Sequence, residues 1–383
     1  MKRRPNSNSL QGGLTLIELL VAVVIGLVIT LAVSNVVILG ESHKRTTTSV
    51  NDVGQSGAYA AYAIDQAVRS AGSGFVQSTQ PTDRGVFGCK LYVGSTLPRA
   101  DAFPAPFEKF LSAAPSDLRM SPVLIGKSQS SDGNSDVLMV MGGYGGGGGI
   151  SRPITDTGTA TTLALDNTVG LAADDLAIVS QAGTTECLLE QVSSVATKVL
   201  TLGGKYYTAG PDSLISTLAA STSTYVTPLG NATANNVQMK LLGVGADSTL
   251  FSYDMLNDSG KDTVLAVADG VVRLRALYGL DVNGDGVVET WADPGVGDYA
   301  IDALMVAPDK IKLIRAVRVA LVMRNSNYEK TEVAPSSLSW FNDAKDAANA
   351  SLKQTLTLSG DDLHYRYRVI DSIIPLRNML LLP

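Results

Sequence analysis

Apolar and polar positions follow three different rhythms along this chain. Residues 14–39 are almost unbroken apolar sequence, with Glu18 as the only charged side chain. A continuous helix there would reach about 39 Å at ~1.5 Å per residue, more than the ~30 Å hydrocarbon core of a bilayer. Glu41, His43, Lys44 and Arg45 then mark emergence into water. Beyond them Val50, Val53, Gly57, Ala61, Ile64, Val68 and Ala71 recur at steps of three or four, the period of a helix with one buried face. Gly72-Ser73-Gly74 supplies the stop. The pattern predicts one long helix. Residues 14–39 suit a membrane or a helical fibre core, and residues 40–72 suit packing against a globular domain.

From residue 73 the rhythm shortens to strands and loops. Residues 136–141 read as a buried strand. Residues 142–149, glycine except for Tyr144, read as a flexible low-complexity loop without the GK[ST] ending of a phosphate loop. Apolar segments at 176–179, 187–189 and 199–202, separated by turn residues, predict a β meander over 163–202. Residues 237–253 and 264–278 give further strands, the latter partly helical. Residues 311–323 turn nearly continuously apolar, as a central strand would. Residues 363–370 alternate, with Tyr365, Tyr367 and Val369 on one face and His364, Arg366 and Arg368 on the other. The expected class is α+β, a long N-terminal helix packed on a large, mostly antiparallel β domain. The expected segments are 1–13, 14–39, 40–72 and 73–383.

The start of the chain carries the most specific pattern. Lys2, Arg3 and Arg4 lead into Gly12-Gly13-Leu14-Thr15-Leu16-Ile17-Glu18. A carboxylate within an apolar span costs roughly 2.5 kcal/mol or more on insertion scales, so Glu18 points to a function. A plain signal anchor needs neither Gly13 nor Glu18. An ordinary secretory signal is cut after its apolar region at small residues, but apolar sequence continues past Ala32-Val33-Ser34. The string resembles the class III signal of type IV pilins and pseudopilins. That resemblance implies cleavage after Gly13 by a prepilin peptidase and methylation of the new N-terminus, Leu14. It also implies that Glu18, the fifth mature residue, neutralises the terminal amine of a neighbouring subunit during assembly. Opposite charges in a poorly hydrated place favour meeting, since either alone is penalised. The alternative is a Glu18 that snorkels or stays protonated. Gly26, Thr30 and Ser34 recur every four residues, a spacing that permits close helix approach.

Later strings narrow the resemblance. Residues 64–72, Gly88-Cys89, residues 278–286, residues 315–319, residues 367–370 and residues 375–378 resemble, in this order, the PilW-type minor pilins. Leu14 stands where phenylalanine is commoner, and Pro375 interrupts the last string. The resemblance implies a non-enzymatic subunit that primes type IV pilus assembly at or near the tip. Its implied partners are other minor pilins, the major pilin, the inner-membrane assembly platform, the prepilin peptidase and a tip adhesin. It would span the inner membrane once, with a periplasmic C-terminal domain, and reach the cell surface after assembly. Two alternatives stay open: a minor pseudopilin of type II secretion, and a membrane-anchored periplasmic binding module or enzyme.

Charge and chemistry change this picture little. Thirty Lys and Arg against 36 Asp and Glu give a net charge of −6, and loss of residues 1–13 would take it to −9. Such a protein is a poor general binder of nucleic acid. Glycine is abundant at 37 residues and aromatics few at 6%, which suits a loop-rich extracytoplasmic β domain. Cys89 and Cys187 are too far apart in sequence for a CxxC motif. In an oxidising compartment they are a disulfide candidate, the alternative being two buried thiols. Asp281, Asn283, Asp285, Val287 and Glu289 resemble the first nine positions of a calcium loop, with Gly286 for the sharp turn. Ala292 replaces the usual glutamate at position twelve, leaving Asp293 or Asp298 as substitutes. The alternative is a polar turn between strands. No cofactor beyond calcium is expected. The two histidines, His43 and His364, belong to no recognisable catalytic constellation.

Overall fold

The structure is a computed structural model that describes residues 15–75, 86–94, 96–97, 101–111, 118–143, 150–181, 184–234, 236–256 and 263–381. The leader at 1–13 and most of the glycine loop, residues 144–149, lie outside these. The chain divides into two compact units, Met1–Asp52 and Val53–Pro383. The 55-residue helix α1 (Leu16–Ser70) contributes to both. No proline interrupts it, so the hydrogen-bond ladder has no reason to break. In the first unit the span Leu16–Ile38 is apolar enough to cross a membrane, and its large side chains are exposed. The Thr30 hydroxyl donates to the Gly26 carbonyl (2.8 Å), which hides a polar group within the apolar span.

In the second unit the predicted stripe faces the core. Ile64, Val68 and Ala71 are buried, and Val53 and Ala61 pack against the same cluster. Gly57 is where the helix comes closest: a Cβ there would lie 2.9 Å from Ile370 Cδ1 and 3.1 Å from Met323 Cγ. The helix stops where predicted. Gly72 and Gly74 take positive φ of 76° and 81°, which glycine adopts without steric cost. Asn378 Nδ2 donates to the Ala71 carbonyl (2.8 Å), supplying a partner that the helix end lacks.

The chain continues through β1 (Lys90–Tyr92), β2 (Val123–Gly126) and the fully buried β3 (Val137–Gly142). It then makes β4 (Arg152–Thr159), β5 (Thr162–Leu165), β6 (Asp175–Gln181), β7 (Glu186–Val195), β8 (Val199–Leu202), a short helix α2 (Leu214–Ala219) and β9 (Thr224–Asn231). These strands pair in the circuit β7-β6-β9-β4-β5-β8 and back to β7, closing an antiparallel six-stranded barrel. The predicted meander survives in β6, β7 and β8. Closure depends on β5 joining β8 and on β9 entering between β6 and β4, pairings that local spacing does not carry. Ile154, Leu163, Val179, Leu188, Leu200 and Val226, one from each strand, fill the interior together with Ile215 and Leu218 of α2. The other faces of β6 and β7, through Leu176, Ile178, Cys187 and Leu189, join the main core. Burial on both faces explains why these strands read as continuous apolar runs.

The chain returns as β10 (Gln238–Val244), β11 (Thr249–Asp254) and β12 (Val264–Asp269), which complete a sheet of order β12-β11-β10-β3-β2. The barrel is therefore an insertion between two neighbouring strands, β3 and β10. There follow β13 (Val271–Leu280), β14 (Thr290–Ala292), α3 (Ile301–Val306), β15 (Ile314–Arg324), the hairpin β16 (Ser337–Trp340) and β17 (Gln354–Thr357), and β18 (Tyr367–Pro375). The second sheet has the order β14-β13-β15-β18, with β15 central as its apolar run predicts. Two expectations are corrected. Residues 264–278 contain no helix, because Gly270 (φ 79°) turns β12 directly into β13. The last strand starts at Tyr367 rather than 363, because residues 360–364 form a 3₁₀ turn in which His364 Nδ1 bonds the Glu329 carbonyl (2.7 Å).

One face of the second sheet meets α1, with Val319, Leu321, Ile370 and Ile374 against Ala61 and Ile64. The opposite face carries Leu277, Ala320 and Val322 beneath Trp340 and Phe341. Arg318 fastens that cover through Asp371 (2.8 Å) and Asp343 (2.7 Å), with its guanidinium 5.6 Å from the Phe341 ring centroid.

Candidate functional site

The first candidate site is the start of α1. Gly13 and Leu14 lie outside the described residues. Thr15 and Glu18 form a reciprocal capping pair. Glu18 Oε2 accepts from the Thr15 backbone N–H (3.3 Å) and hydroxyl (3.2 Å), while Thr15 Oγ1 accepts from the Glu18 N–H (3.3 Å). This is the T-x-x-E capping box, a signal that the sequence itself carries. Glu18 thus has work within its own helix. Its carboxylate is held at the helix N-terminus, the positive end of the macrodipole and the place where a cleaved chain would carry its amine.

The second is the turn between β13 and β14. Carboxylate oxygens of Asp281, Asp285 and Glu289 all lie within 4.8 Å of one another. Gly284 and Gly286 adopt φ of 80° and 85°, which lets the backbone curl around Asp281. Asp281 accepts from Gly284 N–H (2.6 Å) and Gly286 N–H (2.9 Å), and its Oδ2 lies 3.3 Å from Arg315 Nε. Burial alone would raise its pKa, but these amides and the guanidinium outweigh it and hold the carboxyl below its usual range. Asn283 Oδ1 accepts from Asp285 N–H (2.9 Å), and Asp285 Oδ1 accepts from Val287 N–H (2.8 Å). The donor set fits a hard cation: three carboxylates on one turn, with Asn283 and the Val287 carbonyl nearby in sequence. The substitutes for position twelve are engaged elsewhere, Asp293 with Lys127 and Asp298 with Lys310.

Cys89 and Cys187 are joined as a disulfide with Cα atoms 5.7 Å apart. The bond lies where β1 runs parallel to β7, with Leu91 opposite Cys187. The strings that carried the sequence resemblance also meet in space. Asp281 of the 278–286 string lies against Arg315 of the 315–319 string, whose Nη1 donates to the Met379 carbonyl, and Asn378 of the last string caps α1. Strands β15 and β18 pair in unbroken register from Ala316–Pro375 to Arg324–Tyr367.

An apolar helix at the chain start with one carboxylate near its beginning, ahead of a mostly antiparallel β unit, is the build of a type IV pilin-like protein. Residues 8–34 match the prokaryotic N-terminal methylation motif, and residues 234–378 match the family described as Type IV Pilus-assembly protein W. The two matches together support a type IV pilin-like protein of the PilW type. The PilW match opens just before β10 and closes at the helix-capping Asn378, so it covers β10–β12 of the first open sheet and all of the second, and leaves out β2, β3 and the barrel. No curated protein and no solved structure matches the chain.

Proposed function

We propose that this chain is a non-enzymatic minor pilin that primes type IV pilus assembly and resides at or near the pilus tip with other minor pilins. The observation that carries this reading is the union, in one chain, of the methylation motif at 8–34 with the PilW match at 234–378. On this reading the prepilin peptidase cuts after Gly13 and Leu14 is methylated. Helix residues 14–39 wait in the inner membrane, with the β unit in the periplasm, and then join the filament at the cell surface. The major pilin and the assembly platform are its other partners, and a tip adhesin would bind beyond it. The Asp281–Glu289 turn takes calcium, and the Cys89–Cys187 bond persists in the oxidising periplasm.

Substitutions at Glu18 test the assembly role. Glu18→Gln keeps an acceptor for Thr15, whereas Glu18→Ala removes it. Pairing with a neighbour's amine predicts that both variants enter filaments several-fold less than the parent, while the β unit stays folded. Incorporation rescued by Gln would show that capping alone matters, and normal incorporation of both would contradict the role.

A further inference from the structure

An electropositive cavity of about 390 Å³ opens beneath the β16–β17 hairpin, in a protein whose net charge is negative. Its lining holds four cations, Lys127, Arg273, Arg275 and Lys353, against one acid, Asp293. Two of the cations are accounted for. Lys127 pairs with Asp293, and Arg275 bonds the buried Asp136 (2.8 Å) and the Ser128 hydroxyl (2.9 Å). Arg273 and Lys353 have no hydrogen-bonding or ion-pairing side-chain partner among the described residues.

Three donors of the lining side chains are also unused, though buried behind the cavity wall. Arg273 Nε, Arg275 Nε and the indole Nε1 of Trp340 are buried with no hydrogen-bond partner among the described residues. Buried polar atoms are ordinarily satisfied, and an orphan in a native structure calls for a reason. These atoms are all donors, so what they lack is an acceptor. Arg273 and Arg275 are two residues apart on β13, the same face of one strand, which holds two guanidinium groups close together. Burial, and then repulsion from Arg275, press the Arg273 pKa below its usual value. An anion beside it would relieve the crowding of the two charges.

We propose that this cavity binds a small organic oxyanion, a molecule bearing carboxylate or phosphate groups. Guanidinium donors bond such groups in pairs, and charge-assisted bonds are about twice as strong as neutral ones. The volume falls within the range of small-molecule sites and exceeds the need of a bare inorganic ion. Trp340 and Leu352 give the cavity an apolar wall for the organic body. Ser351, Gln354 and Thr355 border the same space and supply polar groups for its hydroxyls.

The test titrates citrate, galacturonate, inorganic phosphate and neutral galactose into the full chain in detergent by calorimetry. The expected result is saturable binding of citrate or galacturonate that weakens with salt, and none of galactose. Arg273→Gln and Lys353→Gln should each weaken binding about tenfold or more, as loss of a charge-assisted bond does. Lys198→Gln, at an exposed position in the barrel, should leave it unchanged. Lys353 is exposed, so its variant carries the test if Arg273→Gln fails to fold. No saturable heat with any anion, or binding indifferent to both substitutions, overturns the proposal. Phosphate bound as tightly as citrate overturns the organic ligand.

Discussion

Glu190 shares one face of β7 with Leu188 and Val192, which line the barrel, and it is completely buried. Its Oε2 accepts from the Thr208 N–H (3.1 Å), while Oε1 has no partner among the described residues. Burial pushes its pKa up to about 8, and the nearby Tyr207 hydroxyl is raised too, by burial and then by Glu190. The neutral acid is the form the fold favours. Its contribution to stability is fully present below the ordinary value of 4.5 and is lost as pH rises through about 8. Glu190→Gln should therefore unfold at a higher temperature than the parent at pH 9 and close to it at pH 5. A difference independent of pH would contradict an ionising Glu190. Sequence alone hides this residue, because it follows the apolar segment 187–189 and falls where turn residues are expected. Barrel closure makes the position an interior one, and the Thr208 amide supplies its donor. Glu18 is the opposite case. Its setting in an apolar run was plain, and the structure adds the capping partner, Thr15.

Elements with a strong internal period were legible. Helix α1, the buried β3 and the central β15 follow from steps of three to four or from continuous apolar runs. What was lost depends on distant pairing. β9 closes the barrel across β4 through only two residue pairs, Arg152–Val226 and Pro153–Tyr225. The start of β18 is fixed by Glu329, which bonds Arg366 Nε (2.6 Å) from far along the chain. The Asp281–Glu289 turn lies between these extremes, since its ligand spacing is local and its Arg315 neighbour is not. That neighbour already satisfies part of Asp281, so calcium should bind in the millimolar range of extracellular modules. At tenfold excess over Kd the gain would be about 1.4 kcal/mol, read as a rise in Tm on adding calcium that a chelator reverses. Calorimetry without heat at several millimolar calcium would remove the site.

At the scale of the whole molecule, the β unit is a pair of open sheets carrying an inserted barrel, with the PilW match on the part that follows the barrel, and Cys89–Cys187 bonds the β1 segment to β7 of that barrel. The cysteines are 98 residues apart, a closure worth about 2–5 kcal/mol. Cys89→Ser with Cys187→Ser should lower the free energy of unfolding by that amount, and an unchanged denaturation midpoint would contradict the bond's role. Four of the strings, residues 64–72, 278–286, 315–319 and 375–378, build one hub, where α1 ends, Arg315 meets Asp281 and Asn378 caps the helix. The barrel, outside that hub, had no such signature. All of these arrangements serve function only if the chain enters the pilin pathway. The decisive measurement is the intact mass and N-terminal sequence of the native protein from membranes or sheared filaments. The account predicts a chain that begins at N-methylated Leu14, and a chain that keeps residues 1–13 would contradict it.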